Sequence, residues 1–419
     1  MTIDVITLGC RLNAYESEVI RARAEDAGLN NAFVVNTCAV TGEAVRQSRQ
    51  EIRKLRREHP AAKIIVTGCA AQIEPGVFSA MPEVDLVLGN QEKISAASYR
   101  PDLFADTPRV LVNDISSARE TAPQFISGFS GRTRAILQVQ NGCDHRCTFC
   151  IIPYGRGPSR SVGMGAIVEE ARRLCALGYR EIVLSGIDLT DWGVGLPGNP
   201  TLGTLIQRLL KHVPELPRLR LSSIDPAEVD DLLLGLIGDE ERLMPHFHLS
   251  AQSGDDLILK RMKRRHLRED TIRFCQSARR RRPQVAYGAD LIAGFPTETE
   301  DMFANTMRLI DEAGLTYLHV FPFSPRKSTP AAKMPQLARA VVKDRARRLR
   351  EKGAAMLSHR LKELVGSDQE LLVEDAQTAR TTCFAPVRLA MPAVPGALLR
   401  GHIEASDGRN LHARVLKPA

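Results

Sequence analysis

The stretch Gln140-Asn-Gly-Cys143-Asp-His-Arg-Cys147-Thr-Phe-Cys150 sets three thiols within eight residues, spaced Cys-x-x-x-Cys-x-x-Cys. Three thiolates on one tight loop can hold three irons of a 4Fe–4S cube and leave the fourth iron without a protein ligand. The competing reading is a zinc knuckle, which wants a fourth Cys or His near tetrahedral geometry. The next cysteine, Cys175, lies inside a helical pattern and does not supply it. His145, inside the loop, reads as exposed. An open iron suits a cluster that binds and reduces a ligand rather than one that only passes electrons.

The apolar run Ala135–Gln140 leads straight into this loop and begins a strand–helix series. Later strands are expected at Ile182–Leu184, Leu219–Leu221, His246–Leu249, Ala286–Ile292 and Leu318–Phe321, with helical patterns between them. Six such strands fit a partial (βα)6 barrel, whose chemistry sits at the C-terminal ends of the strands. Ser185 and Gly186 end the second strand, Ser222 and Ser223 end the third, and Gln252 follows the fourth.

Residues 1–105 carry their own alternation. Strands are expected at Ile3–Leu8, Phe33–Val35, Ile64–Thr67 and Leu86–Leu88, and helices at Ala14–Ala27 and Thr41–Glu58. Alternation at this pitch means a parallel sheet with right-handed crossovers. Each of the first three strands ends in a cysteine: Cys10, Cys38 and Cys69. In a parallel sheet the strand C-termini share one edge, where open α/β sheets bind ligands. Three cysteines far apart in sequence therefore converge. The glycines before Cys10 and Cys69 allow close backbone approach to a bulky group. A single such thiol would read as a small core residue. Three at equivalent positions point to a second cluster.

A linker of about 100–132 separates the two series. The stretch Pro335–Leu364 reads as a basic helix closed by Gly366. The tail over 367–419 shows short alternating runs divided by Gly and Pro, as in a small barrel-like all-β module. The fold class is α/β, with domains at 1–105, 129–360 and 364–419.

The chain has 419 residues, 43% hydrophobic and 25% charged, with no apolar run of membrane-spanning length. Nine cysteines without a secretory pattern argue for reduced thiols, metal ligation and a cytoplasmic location. The net charge is +8, and the excess lies between residues 106 and 365. A basic middle suggests a polyanionic partner, against the plainer reading of a solvated basic surface. Lys260, Arg261, Lys263, Arg264 and Arg265 form the densest stretch, and Arg279–Arg282 form a second.

The Cys143/Cys147/Cys150 signature resembles the radical S-adenosylmethionine (radical SAM) superfamily. The two cysteine triplets together resemble its methylthiotransferase family, over essentially the entire chain. The words Leu8-Gly-Cys-Arg-Leu-Asn13, Asn36-Thr-Cys-Ala-Val-Thr41 and Thr67-Gly-Cys-Ala-Ala-Gln72 are similar to the tRNA branch that acts on N6-threonylcarbamoyladenosine. So are His248-Leu-Ser-Ala-Gln-Ser-Gly254, Gly288-Ala-Asp-Leu-Ile-Ala-Gly-Phe-Pro296 and His319-Val-Phe-Pro-Phe-Ser324.

The resemblance implies an α/β N-terminal domain, a radical SAM barrel and a TRAM-type C-terminal β-barrel. It implies two 4Fe–4S clusters and S-adenosyl-L-methionine (SAM). The Cys143/Cys147/Cys150 cluster would bind SAM and start the radical step at adenine C2. The Cys10/Cys38/Cys69 cluster would hold the sulfur for transfer. Phe149, Ser185, Gly186, Ser222, Ser223 and Gln252 are then expected to line the SAM pocket. Lys260, Arg261, Lys263, Arg264 and Arg265 would contact tRNA. A one-electron donor such as flavodoxin or ferredoxin is the implied partner, and the oligomeric state is open. Competing readings are a methylthiotransferase for isopentenyladenosine tRNA or a ribosomal protein, and a non-catalytic Fe–S RNA-binding sensor. Cys175, Cys275 and Cys383 read as inert thiols. The tail has one aromatic, Phe384, which leaves little for base stacking.

Overall fold

A computed structural model describes residues 3–104, 109–119 and 131–418. Residues 105–108 and 120–130 of the expected linker, and the expected barrel start at residue 129, lie outside the described residues; Arg109–Leu111 of that linker is a strand of the first sheet. The chain forms two compact units. The first holds residues 1–130, 138–162 and 324–332, and the second holds 131–137, 163–323 and 333–419. The Cys143 loop thus belongs by compactness with the N-terminal residues, and the tail belongs with the barrel strands.

The first unit contains β1 (Ile3–Thr7), α1 (Arg11–Asp26), β2 (Ala32–Thr37), α2 (Gly42–Glu58), β3 (Lys63–Gly68), α3 (Cys69–Ile73), α4 (Pro75–Ser79), β4 (Leu86–Leu88) and β5 (Arg109–Leu111). The strands form one sheet in the order β1-β2-β3-β4-β5, every neighbour parallel. Thr7 pairs with Asn36, and Thr37 with Gly68, so the first three strands end level with one another. β2 and β3 are buried on both faces, which is why they read as continuous apolar runs. The Thr41 hydroxyl accepts from the Ala44 amide at 3.1 Å and starts α2 just past Cys38.

β6 (Ala135–Gln138) belongs largely to the second unit. The Cys143 loop, in the first, lies between β7 (Gln140–Asn141) and β8 (Arg160–Ser161), with α5 (Ile152–Arg156) inside it. β7 and β8 pair antiparallel and close its neck.

The second unit continues with α6 (Met164–Ala176), β9 (Glu181–Ser185), α7 (Leu202–His212), β10 (Arg218–Leu221), β11 (Ser223–Ile224), α8 (Asp231–Asp239) and β12 (His246–Gln252). Then come α9 (Asp256–Arg261), α10 (Arg268–Arg281), β13 (Ala286–Ala293), α11 (Glu300–Ala313), β14 (Leu315–Pro322) and α12 (Arg339–Glu363). Its parallel strands form two sheets, β10-β9-β6 and β11-β12-β13-β14. The expected third strand, Leu219–Leu221, falls inside β10, and past Ser222 the chain enters β11, a strand of the other sheet.

The tail is a closed barrel of β15 (Asp368–Asp375), β16 (Thr378–Thr381), β17 (Pro386–Leu389), β18 (Leu398–Ser406) and β19 (Leu411–Pro418), in the order β15-β16-β17-β19-β18. It rests on the strand bases through a buried ionic group. Glu181 takes Arg220 at 2.8 Å and Arg218 at 3.6 Å, while Arg218 also holds Glu370 at 2.6 Å. Phe384 packs on Arg220, Arg134, Arg380 and the His246 ring. The tail's aromatic is therefore spent on packing.

Candidate functional site: two sets of three thiols

All nine cysteines are free thiols. Cys10, Cys38 and Cys69 follow β1, β2 and β3 directly, on the shared edge. Two glycines let them approach. A side chain on Gly9 would stand 2.8 Å from Cys38 Cβ and 3.0 Å from its sulfur. Gly68 has φ +94° and ψ −172°, a region nearly closed to other residues, and a Cβ there would meet the Thr37 carbonyl oxygen at 2.3 Å. The Asn13 amide clamps the same edge, donating to the carbonyls of Leu8 at 2.7 Å and Thr37 at 3.1 Å. Cys10 donates to Asn13 Oδ1 at 3.7 Å.

Beneath Cys69 lies a buried charged network that nothing in the sequence announced. Arg156, 1% exposed, donates from Nε to Cys69 Sγ at 3.1 Å. Its other nitrogens reach Asn13 Oδ1 at 2.6 Å and both oxygens of Glu16, one at 2.9 Å. Lys93, fully buried, donates to Glu16 at 2.7 Å and to Asn90 Oδ1 at 2.6 Å. Asn90 Nδ2 donates to the Gly155 carbonyl at 2.5 Å and faces Cys69 Sγ at 3.9 Å. Burial pushes the Glu16 carboxyl up, but Arg156 and Lys93 outweigh it and hold it below the usual carboxylate range.

The donor set can be tested for fit to a metal cluster. Burial pushes the Cys38 thiol up to about 11, and the neighbouring Cys69 and Cys10 sulfurs push the same way. A backbone bond at Val40 and the Arg156 charge pull the Cys38 thiol the other way. Arg156 and Lys93 supply two buried cations against the one carboxylate, Glu16, that faces both. The unmatched positive charge lies against Cys69, so the pocket suits an anionic sulfur.

In the second set Cys147 is buried, while Cys143 and Cys150 are half-buried. The Cys143 amide donates to the Gly157 carbonyl and the Cys150 amide to the Cys147 carbonyl, each at 3.1 Å. Asp144 caps the Ser159 amide at 3.1 Å, and the Thr148 carbonyl accepts from Ala331 at 2.9 Å. Three thiols on a loop fixed at so many points fit a cluster with one open metal position. Phe149 is half-buried between them, and His145, expected exposed, is half-buried as well.

Ser185 is buried at the end of β9, and Gly186 follows it half-buried. The Ser222 hydroxyl, at the break between β10 and β11, is buried without a hydrogen-bond partner. Ser223 is half-buried, and Gln252 ends β12 with φ +64°. A buried unpaired hydroxyl and a strained backbone at neighbouring strand ends are what a ligand rim shows.

In the basic stretch Lys260, Lys263 and Arg265 are exposed, while Arg261 and Arg264 are half-buried. Arg264 pairs with Asp225 at 2.7 Å and donates to the Ser250 carbonyl at 2.9 Å. Arg261 bonds Thr297 Oγ1 at 2.8 Å, and Arg265 pairs with Glu228. In the second stretch Arg279 and Arg282 bind backbone carbonyls, and Arg280 and Arg281 are exposed. Burial raises the Cys175 thiol to about 11 and Cys275 to about 12, in keeping with inert thiols.

Sequence reasoning also missed a group on the sheet. Asp290 of β13 takes His248 of β12 at 2.9 Å and His319 of β14 at 3.2 Å. Phe247 packs on Phe274 of α10, and Leu318 packs on Gly353 of α12. Alternation therefore puts His248 and His319 on the face away from those helices. Burial would raise the Asp290 carboxyl, but the two imidazoles hold it well below the usual range. The group can orient a polar substrate atom.

Residues 137–310 match the radical SAM superfamily, and residues 2–89 match the family described as Uncharacterized protein family UPF0004. A threonylcarbamoyladenosine tRNA methylthiotransferase MtaB from Rickettsia prowazekii is 54% identical, over 92% of this chain and 91% of that protein. The chain belongs to the radical SAM methylthiotransferases. A methylthiotransferase relative from Erythrobacter litoralis, a tRNA-2-methylthio-N(6)-dimethylallyladenosine synthase, is 34% identical over 83% of this chain and 81% of its own. Among solved structures, the radical S-adenosylmethionine methyltransferase TsrM from Kitasatospora setae shares the methylthiotransferase chain's fold. Its TM-score is 0.55 at 15% identity, covering 79% of this chain and 77% of that one.

Proposed function

We propose that this chain inserts a methylthio group at adenine C2 of N6-threonylcarbamoyladenosine next to the anticodon of tRNA. The observation that carries the reading is the pair of three-thiol sites in one compact unit of a chain 54% identical to a protein named for that modification. Cys143, Cys147 and Cys150 hold one 4Fe–4S cluster and leave a position for SAM. Cys10, Cys38 and Cys69 hold the other. When bound, these groups supply the radical and sulfur chemistry that no acid–base side chain performs on an aromatic C–H.

The protein's own part is binding, alignment and exclusion of water. Gly9 and Gly68 leave room for the strand ends that carry Cys10, Cys38 and Cys69 to approach one another. Within the second unit the Ser222 hydroxyl, with Ser185, Gly186, Ser223 and Gln252, offers strand-end groups to SAM, and Phe149 is carried by the cysteine loop of the first unit. Lys260, Lys263 and the exposed Arg265 seat the tRNA backbone, while Arg261 and Arg264 hold the surface that presents them. A one-electron donor such as flavodoxin or ferredoxin drives the reaction in the cytoplasm.

The test is anaerobic incubation of the reconstituted chain, SAM and reductant with tRNA bearing threonylcarbamoyladenosine or isopentenyladenosine, read by nucleoside mass spectrometry. The expected product is the methylthio form of the first. Product on the second alone overturns the substrate assignment.

A further inference from the structure

Arg156 lies six residues past Cys150, yet its side chain ends on Cys69, a ligand of the other site in the reading above. The neighbouring Gly155 presses against Cys69 too, since a Cβ there would stand 3.2 Å from Cys69 Cβ. The guanidinium has no freedom to be elsewhere. Glu16 grips it with both carboxylate oxygens, Asn13 takes a third bond, and the remaining Nε–H points at the sulfur. Glu16 is fixed in turn by Lys93, whose carbonyl accepts from the buried Tyr99 hydroxyl at 2.6 Å. Such ordering of buried charge is costly and does no work for the apolar core. Its one outlet is Cys69.

We infer that Arg156 is a positioning residue for the first cluster: its Nε–H bond orients the Cys69 sulfur, and its buried charge raises that cluster's reduction potential. This inference rests on the two-cluster reading. Hydrogen bonds to cluster sulfurs and net charge nearby are among the levers that set Fe–S potentials. Reduction adds one negative charge, so a fixed cation beside a ligand sulfur favours the reduced form, and a nearby carboxylate opposes it. Arg156 and Glu16 therefore pull in opposite directions. A role in folding alone would give both variants the same sign.

The experiment uses the full-length chain reconstituted anaerobically with both clusters, titrated with reductant and followed by electron paramagnetic resonance alongside iron content. Added SAM marks the signal of the cluster on Cys143, Cys147 and Cys150. In Arg156→Gln the other cluster's reduction equilibrium should fall about tenfold, a shift of about 59 mV downward for one electron. In Glu16→Gln it should move upward. Arg156→Lys, which keeps the charge but not the fork, should lie between Arg156→Gln and the parent. If Arg156→Gln loses iron from that site, an upward shift in Glu16→Gln still supports the inference. Full iron with an unmoved midpoint in Arg156→Gln overturns it; where that variant loses iron, full iron with an unmoved midpoint in Glu16→Gln overturns it. Iron for only one cluster in the parent chain would overturn the two-cluster reading instead, a result that does not depend on Arg156.

Discussion

Gly68 shows how one residue decides whether a site exists. Its backbone stands at φ +94°, and a methyl group there would drive into Thr37 backbone atoms at 2.3 and 2.5 Å. Gly68→Ala should cost at least about 1–3 kcal/mol from the backbone conformation alone. It should also remove about half the iron by displacing Cys69, a share that follows from two clusters of equal size. Urea unfolding and iron analysis of the reconstituted variant check this, and unchanged values for both would contradict it. The six cysteines proposed as cluster ligands stood out because thiols at a fixed spacing, or at the ends of successive strands, have few other uses. Arg156, Glu16, Lys93 and Asn90 were not. Each is a polar residue in an ordinary pattern, and their meeting depends on chain closure across up to 140 positions. His248, Asp290 and His319 escaped notice for the same reason, one on each of three strands.

At the scale of elements, the strand-and-helix pattern was plain wherever apolar runs alternated with helical periodicity. The short strand Ser223–Ile224 was hidden because two residues past Ser222 carry no period of their own, and only their pairing with β12 places them in the second sheet. β16 and β18 were missed because Thr378–Thr381 is short and polar and Leu398–Ser406 carries Gly401 and His402 inside it. The segment around α9 separates scaffold from surface. Arg264→Gln removes one partner of buried Asp225, which keeps His266 at 3.4 Å and the Ala227 amide at 3.1 Å, and should cost about 1–3 kcal/mol. Lys260→Gln and Lys263→Gln should change stability by no more than about 0.5 kcal/mol. Each should lower the log–log salt slope of tRNA binding by about one. Denaturant melts and binding at several salt concentrations distinguish these outcomes. A lysine pair without effect on the slope would remove this patch from the tRNA surface.

The turn after β13 gives a pH signature. Glu298 accepts from the Gly294 amide at 3.1 Å and from Arg345 of α12 at 2.8 Å. Burial outweighs both and raises its carboxyl from 4.5 to about 7. The folded chain therefore holds this proton more tightly than the unfolded chain. The contribution to stability is full below about pH 4.5 and is lost as pH rises towards 7. Glu298→Gln should flatten that part of the stability profile, measured by urea unfolding between pH 5 and 8. A profile as steep as the parent's would refute the assignment.

For the whole molecule, the +8 charge pointed to a polyanion, but many arginines behind it are structural. Net charge counts residues without knowing their partners, so it identified the class of partner better than the surface. The tail's closed barrel was legible in outline. Its attachment through Glu181, Arg218, Arg220 and Phe384 was not, since those residues lie in separate expected domains.

The account's central claim is a division of labour between two thiol sites. It is tested most directly by replacing Cys10, Cys38 and Cys69 together with Ala in the full-length chain. That variant and the parent are then reduced in the presence of SAM and tRNA, and 5′-deoxyadenosine and methylthio product are measured in the same reaction. The account predicts that 5′-deoxyadenosine still forms while methylthio product disappears. A folded variant that keeps its other cluster yet forms no 5′-deoxyadenosine, or one that still inserts the methylthio group, would contradict it.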